Sequence, residues 1–326
     1  MMHSLIDYLC AFSLFHTYLH RPKPFSAFLT YTFCAFALQL PAGIMLDYAV
    51  TRKSCRKAPL FTILLGCAVT AAGVFFGPVM LGIGNALFHT GGGVLSIQED
   101  RRADLSGAGL GVFVAPGAIG LFLGSVLSYN SLSVTVTIVS ALLAVCGILL
   151  YREEADRKPH VIGKPAVFDC SSLCMLGVCF AVVILRSAVG FAETFAWKTG
   201  FFPAFAAVCM TAAGKAAGGL FSAAYGTGRT IIVSLALSAV CFVFKDVMPA
   251  GLSALFFFNM TMPLTLYLLA ETFFDMPGFS FGTLTFGLFI GYAAVRAYGL
   301  SVPYAGVIGS LASLVLLVIG EKIRNG

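Results

Sequence analysis

The chain alternates between long apolar runs and short polar segments. A membrane-spanning helix needs about 20 predominantly apolar residues, and most of the apolar runs reach about this length. We predict twelve spans, at roughly 2–20, 25–46, 58–76, 78–97, 105–129, 131–151, 168–190, 202–224, 230–245, 248–270, 276–298 and 301–320. These spans use most of the chain, so every loop is short and no soluble domain is predicted. The longest polar stretch runs from Arg152 to Lys164, after six spans.

The composition supports a membrane protein. Hydrophobic residues make up 59% of the chain and charged residues 10%, with a mean hydropathy of +0.94, whereas a soluble domain carries about 25% charged residues. The net charge of +6 is spread over short loops between apolar runs, which argues against nucleic acid as a partner. The ten cysteines lie mostly inside apolar runs, where they serve as small packing residues. We therefore expect no metal site and no cofactor.

The positions of Lys and Arg predict the orientation. Cytoplasmic loops carry an excess of these residues. With the N-terminus inside, the cytoplasmic segments hold thirteen of the 20: Arg52, Lys53, Arg56, Lys57, Arg101, Arg102, Arg152, Arg157, Lys158, Lys164, Arg229, Lys322 and Arg324. This bias predicts that both termini are cytoplasmic. The compact loops favour a bacterial cytoplasmic membrane.

One motif lies between the second and third spans, within 42–57. Gly43 and Asp47 are one helical turn apart, so they share a face of the helix end. Basic pairs follow at 52–53 and 56–57. By itself this could be a basic cytoplasmic loop that obeys the charge bias. The pattern also resembles the G-x-x-x-D-x-x-x-x-R-K/R signature of major facilitator superfamily transporters, which implies a latch between two halves on the cytoplasmic side.

A weaker copy of this motif follows the eighth span. The stretch from Gly218 to Arg229 keeps the glycines and an arginine but has Ala223 where Asp47 would align. The resemblance therefore implies an all-α polytopic membrane protein of twelve transmembrane helices in two pseudo-symmetric six-helix halves, 1–151 and 168–326, joined by a cytoplasmic linker at 152–167. The implied gating residues are Gly43, Asp47, Arg52, Lys53, Arg56, Gly219 and Arg229. The run from Gly82 to His89 is also similar to fosmidomycin-resistance-like exporters.

Polar residues at membrane depth are costly and are candidates for function. His89 lies about 16 Å along the fourth span, with Asn85 one turn away on the same face. Both would line the central cavity, and we favour this over the alternative that His89 bonds a neighbouring helix only for packing. Lys215 lies about 20 Å into the eighth span. It could bind solute, pair with a buried acid, or extend to the membrane surface.

Four further residues have two interpretations each. Arg186 and Glu193 could form an extracellular gate pair, or Arg186 could extend to the interface. Asn259 precedes Pro263, which can kink the helix. Asn259 could then line a cavity, or it could have only a structural role. Asp7 could carry protons, because burial in an apolar region favours the neutral carboxyl, or it could pair at the inner surface. We predict Asn85, His89, Lys215, Asn259 and Arg186 as solute-binding residues, and Asp7, His89 and Glu193 as proton-coupling residues.

These observations favour a secondary active transporter over other classes. No phosphate-binding loop or soluble domain could hydrolyse ATP. We expect the protein to move a small polar or anionic solute by alternating access, coupled to a proton gradient. We expect it to be a monomer in the lipid bilayer, and efflux is one possible direction of transport. One alternative is a non-transporting receptor or scaffold derived from a transporter. A membrane enzyme is disfavoured, because no cluster of acids and histidines is apparent near one interface.

Overall fold

The structure is a computed structural model that describes residues 1–20, 22, 24–51, 55, 57–155, 166–299 and 302–325. These residues form twelve helices: α1 Met2–Tyr18, α2 Pro24–Thr51, α3 Ala58–Phe76, α4 Pro78–Ala103, α5 Ala108–Val126, α6 Leu132–Ala155, α7 Cys170–Ala192, α8 Phe201–Tyr225, α9 Thr227–Val243, α10 Met248–Thr272, α11 Pro277–Tyr298 and α12 Ala305–Asn325. The predicted number of helices is confirmed.

Nine of the described helices are long and apolar enough to cross a membrane, and α9 is apolar but has only 17 residues. The predicted ends at residues 46 and 97 fall short, because α2 continues to Thr51 and α4 to Ala103. These last turns are helical but carry charged side chains, so hydropathy alone ends the span too early. The predicted linker 152–167 overlaps α6, which continues to Ala155, and residues 156–165 lie outside the described part.

The second helix is interrupted where its sequence requires it. Residues Phe33–Ala37 form a π-helical turn in the middle of α2. Pro41 follows four residues after Ala37 and has no backbone N–H to donate to the carbonyl of Ala37. The π-turn therefore ends at the residue whose carbonyl lacks this donor, and single turns of this kind occur as bulges inside α-helices.

Helix pairing repeats after a shift of six helices. The main contacts within the first half join α3 with α4 and α1 with α5, and their counterparts join α9 with α10 and α7 with α11. Between the halves, α2 packs on α11 and α5 packs on α8, which are again equivalent pairs. The molecule is therefore an all-α bundle of two pseudo-symmetric six-helix halves, as predicted.

Glycines allow the halves to approach closely at both contacts. A Cβ at Gly43 would overlap the backbone of Gly278, which joins α2 to α11. A Cβ at Gly219 would lie 2.8 Å from the Cα of Ala108, which joins α8 to α5. Small residues at helix contacts permit this backbone approach. Gly43 and Gly219 of the two motif copies thus lie at the borders between the halves.

The apolar core forms two buried clusters. One includes Leu264 of α10 and Phe273 just after it and extends over α7 and α9, and the other includes Ile6 of α1 and Leu81 of α4. Phe113 of α5 packs against both clusters. The backbone of this residue takes part in the site described next.

Candidate functional site

A polar cluster is buried between α1, α4 and α5. His3 Nε2 lies 3.1 Å from an oxygen of Asp7, one helical turn further along α1. His89 Nε2 of α4 lies 3.6 Å from the other oxygen of Asp7 and 2.8 Å from His3 Nε2. Asn85 donates its side-chain amide to the carboxylate of Asp7 at 3.0 Å. His3, Asp7 and Asn85 are buried, and the side chain of His89 is 12% exposed.

Backbone carbonyls fix the tautomers of both histidines. His3 Nδ1 lies 2.5 Å from the carbonyl oxygen of Phe113, and His89 Nδ1 lies 2.9 Å from that of Asn85. A carbonyl can only accept, so each Nδ1 carries the proton and donates it. In neutral rings, each Nε2 then presents a lone pair. Two such lone pairs 2.8 Å apart, beside a carboxylate, require a positive ion: a proton on one ring or a metal ion bound by both.

The neighbouring helices leave room for this cluster. A Cβ at Gly117 of α5 would overlap both His3 and Asp7, so a glycine is required for α5 to pack here. On the other side, His3 lines a cavity of about 380 Å³ together with Met1, Glu99 and Phe113. The cluster is thus buried from the lipid but is adjacent to a space at one end of the bundle.

The first and last helices place both ends of the described chain at that end of the bundle. Met1 shares the cavity with Glu99 near the end of α4. Glu321, near the end of α12, lies beside Gly228 at the start of α9. We call this end of the bundle the terminal face.

Lys215 of α8 lies across the border from the cluster. It is half-buried, and its charge interacts with those of Asp7, His89 and Arg186. Among the described residues, it has no hydrogen-bond or ion-pair partner. The backbone carbonyl of Lys215 contacts the position of Gly111 on α5, so the residue lies at the contact between the halves. An ammonium group in this place can attract an anion.

Arg186 has a different environment from the one expected. It is buried, donates to the carbonyl of Phe258 at 2.9 Å and to the hydroxyl of Thr261, and stacks 4.9 Å from the ring of Phe258. Its Nε has no partner among the described groups. The side chain therefore joins α7 to α10 inside the second half and does not extend to the interface.

Glu193 does not pair with Arg186 in this structure, so the gate pair, one of the two alternatives, is not formed here. Instead it forms an ion pair with Lys245 and accepts the backbone N–H of Gly306 at 2.6 Å. These contacts tie the end of α7 to the loop before α10 and to the start of α12. Asn259 is half-buried and donates to the carbonyl of Leu255 in its own helix at 2.8 Å.

The halves are joined at the terminal face by two charged residues. Asp47, at the end of α2, accepts the backbone N–H groups of Gly278 and Phe279 at 2.8 and 2.7 Å. These are unpaired donors at the start of α11, where a carboxylate is favoured. Arg101 of α4 binds the carboxylate of Glu271 at 3.0 Å and the carbonyls of Ala270 and Phe274, at the end of α10.

Of the remaining charged residues of the predicted gating motif, the structure describes only Arg229. Arg52, Lys53 and Arg56 lie outside the described residues. Arg229 is exposed at the start of α9. Ala223 replaces the aspartate in the second copy, and the start of α5 is capped from its own half instead: Asp100 accepts the N–H groups of Gly109 and Leu110 at 2.6 and 2.9 Å.

Sequence reasoning missed several residues. His3 was detectable, because it precedes Asp7 by four residues and so shares its helix face. Arg101 and Glu271 are 170 residues apart, and no local pattern indicates that they meet. The sequence could not predict that the backbone carbonyl of Phe113 accepts a hydrogen bond from His3, because every residue has a backbone carbonyl.

The overall arrangement can be compared with solved structures. The chain is similar to FucP, a major facilitator superfamily transporter in the outward conformation, with a TM-score of 0.64 and 15% identity over 99% of this chain and 97% of that one. A second structure, of the E. coli fucose:proton symporter FucP, gives 0.60 with the same identity and coverage. The chain has the major facilitator fold.

A human protein with the same fold is also similar. The organic anion transporter MFSD10 (TETRAN) matches with a TM-score of 0.62 and 14% identity, over 99% of this chain and 95% of that one. No protein-family model and no curated protein sequence matches the chain. Within the major facilitator fold, the His3–Asp7–His89 cluster lies in the first half and Lys215 in the second, on opposite sides of the border.

Proposed function

We propose that the chain is a secondary active transporter that moves a small polar or anionic solute by alternating access. The observation that carries the proposal is Lys215, a half-buried cation at the contact between two halves of a major facilitator fold, with no partner among the described residues. A buried charge without a partner is costly. An anionic solute would compensate this cost by pairing with the ammonium group.

Similar proteins agree with this solute class. One of the matching structures is described as an organic anion transporter and another as a fucose:proton symporter. In this chain, the free Nε of Arg186 is a second donor in the half that holds Lys215. Asn85, His89 and Asn259 remain predicted solute contacts. Fucose is a polar but uncharged sugar. Because one of the similar proteins is a fucose:proton symporter, the proposal includes neutral polar solutes as well as anions.

Alternating access requires contacts that can break. Asp47 and Arg101 hold the halves together at the terminal face through hydrogen bonds to backbone groups of α11 and α10. When these bonds open, the solute site becomes accessible from the terminal face. We place this face, with both termini, in the cytoplasm of a bacterial cell. The structure then represents a state closed to the cytoplasm, and the direction of net transport, including efflux, depends on the gradients.

The coupling ion is proposed to be a proton, as in the symporter among the similar proteins. Asp7, His89 and Glu193 are the carriers predicted from the sequence. Solute-driven pH change inside proteoliposomes that contain a pH-sensitive dye would measure this coupling. Solute flux without proton movement would contradict proton coupling and would indicate that transport is coupled to another ion.

A ligand screen on the purified protein tests the solute site. A ligand that binds the folded state raises the melting temperature by mass action. The panel spans organic anions, sugar phosphates, amino acids, nucleosides and neutral sugars. We expect an anion to stabilise the wild type, to lose its effect in Lys215→Ala, and to keep most of it in Lys215→Arg, which retains the charge. Lys198→Ala, in an exposed loop, is the matched control.

Other outcomes have distinct meanings. An anion that stabilises wild type and Lys215→Ala equally would place the solute elsewhere in the molecule. A folded protein that no solute stabilises, and that gives no flux in proteoliposomes, would favour the alternative of a non-transporting receptor or scaffold.

A further inference from the structure

The His3–Asp7–His89 cluster has properties that solute transport does not require. Its three donor atoms converge from two helices, and each imidazole is oriented by a backbone carbonyl. Metal-binding histidines almost always donate their other ring N–H in this way, which fixes the tautomer that leaves the ligating nitrogen free. Asp7 is held in turn by Asn85. The cluster thus has a complete supporting shell around three free ligand atoms.

The distances also match a metal site. Zinc binds imidazole nitrogen and carboxylate oxygen at about 2.0–2.2 Å in tetrahedral geometry, so neighbouring ligand atoms are about 3.3 Å apart. In the cluster, the two Nε2 atoms are 2.8 Å apart, and each lies near a different oxygen of Asp7, at 3.1 Å for His3 and 3.6 Å for His89. One ligand atom from each of the three residues lies within 4.8 Å of the other two, so a small shift of the side chains would complete the tetrahedral spacing. Carboxylate and imidazole donors together suit zinc and related transition metals better than magnesium or calcium, which prefer oxygen.

We propose that His3, Asp7 and His89 form a binding site for one divalent transition-metal ion of the zinc class. The ion takes Nε2 of both histidines and one carboxylate oxygen, which leaves the fourth tetrahedral position for water or a solute group. The cavity of about 380 Å³ that His3 lines at the terminal face provides a route of entry. No metal site was expected from the cysteines, and the ligands proposed here are instead two histidines and an aspartate that α1 and α4 bring together.

This inference is independent of the proposed transport activity. It competes with the proton-carrier role predicted for Asp7 and His89, because the metal ion occupies the same lone pairs. Lys215 is the nearby cation on α8, and its charge opposes that of the metal ion. An anionic group at the fourth position would offset this repulsion.

Direct metal binding tests the proposal. The full-length protein, purified without a polyhistidine tag and treated with a chelator, is dialysed against Zn²⁺ and analysed for bound metal. We expect one Zn²⁺ per chain, and with Co²⁺ the visible absorption of a tetrahedral site. His89→Gln and Asp7→Asn should each weaken binding by at least about 100-fold, and Asn85→Ala by about 10–100-fold, the usual effect of losing a supporting group.

His16→Gln is the matched control. His16 also lies on α1, and its Nδ1 also contacts a backbone carbonyl, that of Ser128, at 2.7 Å. We expect wild-type affinity in this variant. If His89→Gln does not fold, as judged by size exclusion and melting, His3→Gln and Asn85→Ala carry the test. Folded wild-type protein that binds no stoichiometric Zn²⁺, or equal losses in His16→Gln and His89→Gln, would overturn the proposal.

Discussion

At the scale of single residues, Asp47 is the clearest link between the sequence motif and a contact between the halves. A hydrogen bond to a charged group contributes about 1.5–3 kcal/mol, and Asp47 accepts two from the start of α11. In Asp47→Asn the side chain loses its charge and one acceptor. We expect solute flux in proteoliposomes to fall about tenfold, the effect of about 1.4 kcal/mol, while the ligand-induced shift in melting temperature remains.

The matched control for this variant is Asp100→Asn. Asp100 caps the start of α5 in a similar way but within one half. Its loss should lower the melting temperature without a specific effect on flux per folded molecule. If Asp47→Asn reduces ligand binding as much as flux, Asp47 does not act as a latch.

At the scale of helices, close packing between α2 and α11 depends on glycine. In Gly43→Ala the new Cβ would overlap the backbone of Gly278, which has no flexible side chain to move aside. Overpacking of this kind costs about 1–3 kcal/mol, so we expect a lower melting temperature in detergent. Gly177→Ala in α7 is the control, because its Cβ meets nothing within 4 Å; it should be neutral or stabilising by up to about 1 kcal/mol. Equal melting temperatures for the two variants would contradict the close contact.

At the scale of the whole molecule, the charge bias and the even number of helices predict one orientation. The spans predicted from the sequence assign thirteen of the 20 Lys and Arg residues to the side of the termini. A fluorescent protein fused to the C-terminus should therefore fold and fluoresce in the cytoplasm. Alkaline phosphatase fused after Gly299, between α11 and α12, should be active outside. The reverse pattern would place the terminal face outside and invert the proposed direction of opening.

The sequence by itself determined the class of the protein and the course of the chain. Apolar runs of about 20 residues can satisfy their backbone hydrogen bonds in a membrane only as helices, so composition and run length sufficed to predict twelve of them. The Gly43-x-x-x-Asp47 motif was predictable for a similar reason, because the spacing places both residues on one face of a helix end. The ends of α2 and α4 were misplaced where polar residues continue a helix beyond the apolar run.

Only the tertiary structure decided which polar groups meet. Asp7 and His89 were recognised as costly groups at membrane depth, but their common site with His3 depends on how α1 lies against α4, and Gly117 of α5 allows that packing. Arg101 binds Glu271, which is 170 positions away. Arg186 in α7 and Glu193 just after α7 bind different partners. Such pairings follow from the packing of helices distant in sequence, and hydropathy and spacing contain no information about it.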